Sequence, residues 1–215
     1  MSNPVRAWVK RRGIVSTSIA GVAAAGGVAL TIGWLIGSGA ASAGGSPGWT
    51  TYSDRGHQLT VSFPSAWHRA RTRLVPQLSD PREILSLGTG HLQVGSGGDC
   101  GRYPAKAMAA MGRGDVLISI QEGFAPPGAK WLAELPRRPS HFQIRSPGPG
   151  FEKVSRRFAF LPRFSKDGSI LEFNFRARDR AFWVLLAMGG SVQPKVREAA
   201  LSVLDSLRFG PTTSR

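Results

Sequence analysis

Residues 169–188 read SILEFNFRARDRAFWVLLAM, and this stretch decides the fold. Apolar and polar side chains alternate in its first half, which is the two-residue period of a half-buried strand. The alternation places two sets of side chains on opposite faces: Leu171, Phe173 and Phe175 on one, and Glu172, Asn174 and Arg176 on the other. Asp179-Arg180 separates this strand, Ser169–Arg178, from a second, Ala181–Met188. The pattern therefore predicts an antiparallel hairpin.

The segments on either side extend the same architecture. Upstream, Phe151–Leu161 is predicted as a third strand, joined to the hairpin by the turn Lys166-Asp167-Gly168. Downstream, Pro194–Ser206 is predicted as an amphipathic helix whose apolar side chains recur at helical spacing: Val196, Ala200, Val203, Leu204 and Leu207. Nearer the start, Trp49–Pro64 has the pattern of a hairpin around the turn Asp54-Arg55-Gly56.

The middle of the chain adds shorter elements, and we expect Trp67 to fold back onto the core. The remaining predictions are an extended piece at His68–Val75, a strand at Ile84–Thr89, a glycine-rich loop at Gly95–Gly101, a helix at Pro104–Met111, a strand at Val116–Gln121, a helical turn at Lys130–Leu135, a strand at His141–Arg145 and a loop at Pro147–Gly150. Hairpins interspersed with helices predict an α+β domain over residues 49–210, with an antiparallel sheet flanked by helices and a disordered tail at 211–215.

Two of these segments resemble the PsbP/Mog1-like domains. Residues 56–67, GHQLTVSFPSAW, are similar to the opening of that family, where a strand runs into a proline and a tryptophan. Residues 199–209, AALSVLDSLRF, are similar to its last helix and short terminal segment. The resemblance implies an α/β/α sandwich that serves as a binding or accessory module and not as an enzyme. No binding residue of the family maps onto this chain.

The N-terminal segment sets the expected location of the protein. Residues 13–36 carry no charged side chain and follow a basic tail at 1–12. As a helix they would reach roughly 36 Å, enough to cross a hydrocarbon core of about 30 Å. We therefore expect a single-pass anchor in the plasma membrane with its N-terminus in the cytoplasm, followed by a Gly/Ser/Ala linker at 37–48 and an extracytoplasmic domain. The alternative is a signal peptide cleaved after Ala43, which would release a secreted protein.

The charge balance limits the classes of partner. The formal net charge is +15, and four of these charges lie in the N-terminal tail. Anionic lipid headgroups and acidic cell-envelope polymers are the polyanions expected beside a membrane-tethered domain, together with an unknown protein partner. An extracytoplasmic location argues against nucleic acid. The GxxxG spacing of Gly33 and Gly37 is compatible with a weak homodimer. A lone cysteine, Cys100, excludes an internal disulfide.

Arginines recur along the predicted strands and turns. We assign a weak anionic-surface site to the following residues: Arg69, Arg71, Arg73, Arg156, Arg157, Arg176 and Arg178. If residues 68–75 are extended, Arg69, Arg71 and Arg73 share one face. Ordinary solvated strand faces and turns would give the same pattern.

Catalytic and metal sites have less support in the sequence than the anionic-surface site has. Asp54 and His57, with His68 or His91, have the chemistry of metal ligands, but their spacing fixes no site and Asp54 already serves a turn. The chain contains no His-Glu-x-x-His motif, and no Gly-x-Ser-x-Gly elbow between a predicted strand and a predicted helix. We therefore expect no catalytic residue, no cofactor and no metal. The alternative is an extracytoplasmic hydrolase whose site the sequence does not display.

Overall fold

Antiparallel β-sheets with a few helices make up the part of the chain that the computed structural model describes, residues 48–94, 102–126, 128–144, 151–154 and 168–211. The strands are β1 (Trp49–Asp54), β2 (Leu59–Pro64), β3 (His68–Arg69), β4 (Arg82–Gly88), β5 (Val116–Gly123), β6 (Phe151–Val154), β7 (Ser169–Ala177), β8 (Arg180–Met188) and β9 (Arg208–Phe209). The helices are α1 (Ala105–Ala109), α2 (Lys130–Glu134) and α3 (Pro194–Ser206). The domain is therefore of the α+β class.

The strands form two sheets. The main sheet has the order β3-β4-β5-β8-β7-β6, and the small sheet has the order β1-β2-β9. All neighbouring strands within these sheets are antiparallel. Alternate residues of β5 point to opposite faces of the main sheet, and both faces are covered. Ile118 lies in the large core with residues of α3 and the small sheet, whereas Leu117 packs in a second cluster with α1.

The hairpin predicted from residues 169–188 is present as β7 and β8. Phe175 pairs with Phe182, and Ala177 pairs with Arg180 across a two-residue turn. The turn consists of Arg178, whose φ is +56°, and Asp179. The predicted turn was Asp179-Arg180, so the observed one lies one residue earlier. The physical reason is that Arg180 joins the ladder and is buried there with a carboxylate partner.

Most other predicted elements are confirmed. The β1–β2 hairpin has the expected turn, Trp67 is buried in the large core, and α3 has the predicted bounds. The predicted helix at 104–111 is present as α1, the strand at 116–121 as β5, the helical turn at 130–135 as α2 and the strand at 84–89 as β4.

The strand predicted at His141–Arg145 is wrong over its described residues, and the condition that residues 68–75 are extended is not met. The segment His68–Val75 leaves the sheet after Arg69, because the backbone N–H groups of Leu74 and Val75 bond to the carboxylate of Glu83 instead of a neighbouring strand. Residues 141–144 form no strand either. There the backbone N–H of Phe142 donates to Asp205 Oδ1, at 2.8 Å, and the residue is held against α3.

Several predictions lie outside the described residues. They concern the span at 13–36, the linker at 37–47, the loops at 95–101 and 147–150, the second half of the strand at 151–161, the turn residues 166–167, Arg156 and Arg157, and the tail at 212–215. Among the helices that the structure describes, none combines the length and the apolar composition that a bilayer crossing requires.

Candidate anion-binding cleft

The predicted arginines divide into two groups in the structure. Arg69 places its guanidinium 4.4 Å from the centre of the Tyr52 ring, and Arg73 Nη1 donates to the carbonyl oxygen of Leu78 at 3.1 Å. Because the chain leaves the sheet after Arg69, these two and Arg71 do not form the shared face of an extended strand. Arg176 and Arg178 lie instead at the turn end of β7, where they line a cleft.

The cleft has a volume of about 1190 Å³. Five basic and two acidic side chains line it: Arg82, Lys130, Arg176, Arg178 and Arg180, with Glu122 and Asp179. We call Arg82, Lys130, Arg176 and Arg178 the cleft cations. Among the described residues, none of the four has a carboxylate within ion-pair distance. With five basic and two acidic side chains, the lining of the cleft carries a net positive charge.

Arg180 differs from the cleft cations because it is buried and paired. Its Nε and Nη2 donate to the two carboxylate oxygens of Glu122, at 2.6 and 2.9 Å. Nη2 also donates to the carbonyl oxygen of His57 at 2.7 Å, and the guanidinium lies 4.9 Å from the ring centre of Phe182. This bidentate geometry fixes the side chain beneath the cleft. Arg180 thus supports the site and is not available to a ligand.

A second depression, of about 400 Å³, adjoins the cleft and shares Arg176, Arg178 and Asp179 with it. Arg137, Arg138 and Ala177 complete its lining. Arg138 is structural, since its Nη2 donates to the carbonyl oxygens of Leu204 and Asp205 at the C-terminal end of α3. Burial, with the nearby Arg208 charge, lowers the pKa of Arg138. Arg137 is exposed and extends the basic surface beyond the cleft.

Part of the cleft lining is apolar. Its apolar wall consists of Phe124, Ala125, Pro126, Ala129, Leu132 and Ala133. Phe124 follows β5, is 73 % exposed, and is held by its backbone N–H, which donates to Asp80 Oδ1 at 2.9 Å. None of the residues of α2 is buried, but Trp131 lies with its ring centre 6.4 Å from that of Trp183. The cleft is therefore lined by both cationic and apolar side chains.

His57 also lines the cleft and is paired with Asp54 in the β1–β2 turn. Its backbone N–H donates to Asp54 Oδ1, and its Nδ1 lies 3.0 Å from Oδ2. Burial alone would raise the pKa of Asp54, but the hydrogen bonds from His57 lower it. An Asp–His pair activates a nucleophile only through the second ring nitrogen. Nε2 of His57 is buried and has no hydrogen-bond partner among the described residues.

The four side chains with the chemistry of metal ligands do not converge in the described residues. His68 lies on β3 and His91 in the loop after β4, while Asp54 and His57 contact each other. Across the part of the chain that the structure describes, no group of three or more His, Cys, Asp or Glu side chains is placed to hold a metal ion.

No protein-family profile matches the chain, and no curated protein is similar to it in sequence at a significant level. The function is therefore argued from the geometry of the cleft.

Sequence reasoning missed a row of buried polar side chains on the face of the main sheet that carries α1. The row comprises Glu83, Ser86, Ser119, Gln121, Glu172, Asn174 and Trp183. Arg102 Nη2 donates to Glu172 Oε2 at 2.7 Å, and burial beside Glu172 raises the pKa of Tyr103 to about 12. Ser119 Oγ is among the buried atoms of the row that have no partner.

The sequence also contains no signal for the residues that lie near Arg176 and Arg178 in the cleft. Arg82, Phe124 and Lys130 come from separate segments that only the strand order brings together. Local periodicity does not encode such long-range neighbours, so no inspection of the sequence could have found them.

Proposed function

We propose that this protein is a membrane-tethered extracytoplasmic binding module that takes anionic ligands in the cleft. The observation that carries the proposal is the convergence of Arg82, Lys130, Arg176 and Arg178 on one concave surface without a carboxylate partner among the described residues. Unpaired cations in a concave site attract anions, because low-dielectric walls focus their field. Arginine also binds phosphate and carboxylate groups in a bidentate geometry.

The proposed context comes from the N-terminal segment. We place residues 13–36 in the plasma membrane, with the basic tail in the cytoplasm and the domain outside. A linker of about twelve residues then gives a mean reach of roughly 20 Å as a flexible coil. The expected ligands are accordingly anionic lipid headgroups or acidic polymers of the cell envelope.

We further propose that the domain has the PsbP/Mog1-like architecture. The placement of α3 on one face of the main sheet and α1 on the other supports an α/β/α arrangement. That family is implied to act through binding. A binding role is also favoured by the Asp54–His57 pair, which engages no nucleophile among the described residues.

The test is a binding titration of the full-length protein in nonionic detergent with inorganic polyphosphate, at about 50 and 500 mM salt. We expect binding at low salt and its loss at high salt, because counterions compete for exposed cations. Replacing Arg82 and Arg178 by Gln should weaken binding on the order of tenfold, since two charge-assisted contacts are removed.

The matched control is Lys195→Gln with Arg197→Gln, which removes the same charge from the exposed side of α3. If the control weakens polyphosphate binding as much as the cleft variant does, the site is general surface charge and the cleft proposal is wrong.

A further inference from the structure

The chemistry of the apolar wall narrows the ligand class, provided that the cleft binds anions as proposed above. A bare phosphate occupies only a small part of a cleft of about 1190 Å³. Pockets for drug-sized ligands typically span about 300–1,000 Å³ and are lined mainly by apolar groups. The cleft exceeds this range, so it has room for a ligand with both an anionic and an apolar part, and its mixed lining suits such a ligand.

Phe124 is the clearest sign of an apolar contact surface. Among the described residues, the exposed large hydrophobic side chains are Phe124, at 73 %, and Val94, at 40 %. Phe124 adjoins the other members of the apolar wall in the cleft, whereas Val94 lies outside the cleft lining. Contiguous exposed apolar surface marks a contact site more strongly than a scattered single residue does.

The cleft cations and the apolar wall belong to one lining, and this mixed lining is complementary to an amphiphile. Arg176 and Arg178 lie at the β7–β8 turn, and Arg82 begins β4. The wall residues follow β5 and continue into α2, where Lys130 supplies a cation next to Leu132. An amphiphile could place its anionic head group on the cleft cations and its hydrocarbon chain against Phe124 and Leu132. One molecule would then contact both kinds of lining residue.

We propose that the cleft binds one anionic phospholipid, with its phosphate on the cleft cations and an acyl chain along the apolar wall. The membrane expected beside the domain is the source of this ligand. This mode of binding requires that the phosphate and the acyl chain belong to one molecule. A polymer of phosphate groups would use the cations and leave Phe124 without a partner.

The experiment uses the full-length protein in phosphatidylcholine nanodiscs, with protein-free nanodiscs as the calorimetric blank. The three probes are dihexanoyl phosphatidylglycerol below its micelle concentration, glycerol 3-phosphate and dihexanoyl phosphatidylcholine. We expect the phosphatidylglycerol to bind about tenfold more tightly than glycerol 3-phosphate, because burying chain methylenes adds to the phosphate contact. We expect the zwitterionic lipid to bind more weakly than the anionic one.

Two variants separate the apolar wall from general hydrophobicity. Phe124→Ser should remove most of the advantage of the lipid over glycerol 3-phosphate and leave the affinity for glycerol 3-phosphate unchanged. Val94→Ser, the matched control outside the cleft, should change neither affinity. Both side chains are exposed, so neither change removes core packing.

The outcomes distinguish this inference from the proposed function. Equal affinity for glycerol 3-phosphate and for the anionic lipid would overturn the lipid inference and leave anion binding standing. An unchanged lipid advantage in Phe124→Ser would also overturn it. Failure of polyphosphate, glycerol 3-phosphate and the anionic lipid alike to bind would overturn both proposals.

Discussion

Two serines that face each other across β4 and β5 differ in their hydrogen bonds. Ser86 Oγ donates to Glu83 Oε1 at 2.6 Å, whereas its register partner, Ser119, has a buried Oγ that no described residue contacts by a hydrogen bond. Burying a hydroxyl without a hydrogen-bond partner, as in Ser119, lowers the stability of the folded state. A hydrogen bond to a buried carboxylate, such as the bond from Ser86 to Glu83, raises it.

This difference predicts opposite effects of the same substitution. Ser119→Ala should leave the free energy of unfolding unchanged or raise it by up to about 1 kcal/mol, because a desolvated hydroxyl is removed. Ser86→Ala should lower it by about 1–2 kcal/mol, because Glu83 loses a donor. Urea unfolding followed by tryptophan fluorescence measures both. A destabilised Ser119→Ala protein would contradict the prediction and indicate that this hydroxyl has a bound partner.

At the scale of elements, β5 and α2 meet through a glycine and two tryptophans. A Cβ on Gly123 would overlap with the ring of Trp183, which packs against Trp131 of α2. The close approach of a bulky ring to the backbone therefore requires glycine at this position.

Gly123→Ala is expected to lower the free energy of unfolding by about 1–3 kcal/mol, because the ring of Trp183 must move in a packed environment. Gly114→Ala is the matched control, since a Cβ there meets no atom within 4 Å. We expect the control to stay within about 0.5 kcal/mol of the parent protein. Thermal unfolding compares the two, and equal losses of stability would contradict the proposed role of the Trp183 contact.

The elements that follow from local pattern were predictable, and those that depend on distant residues were not. The alternation at Leu171, Phe173 and Phe175 predicted β7, because a strand with one buried face has a period of two. The same alternation could not show that Glu172 on the other face is buried as well, since α1 and Arg102 come from elsewhere in the chain. The segment after His68 is not extended for a similar reason, because the backbone N–H groups of Leu74 and Val75 donate to the buried carboxylate of Glu83.

At the scale of the whole molecule, one guanidinium links the two sheets. Arg180 on β8 pairs with Glu122 on β5 and donates to the carbonyl oxygens of His57, before β2, and of Gly210, after β9. Its side chain is 5 % exposed, compared with 25 % for Glu122. Removing the carboxylate of Glu122 therefore leaves the buried charge of Arg180 without a counter-charge, whereas removing Glu122 and Arg180 together leaves no buried charge.

We expect Glu122→Ala to lower the free energy of unfolding by about 3–5 kcal/mol, because it leaves the guanidinium of Arg180 without its partner. Adding Arg180→Met should recover part of this loss, since the uncompensated charge is then removed. Guanidinium chloride unfolding of the single and double variants measures the difference. If the double variant is less stable than Glu122→Ala, the bonds of Arg180 to His57 and Gly210 outweigh the cost of the buried charge.

The shortness of β3 has a consequence for how copies of this protein meet. The main sheet ends on one side at a strand of two residues, His68 and Arg69, both exposed. Such an edge offers few free peptide groups to an incoming strand, and its basic side chains repel the same edge of another copy. The domain is thereby protected on this side against aggregation by sheet extension.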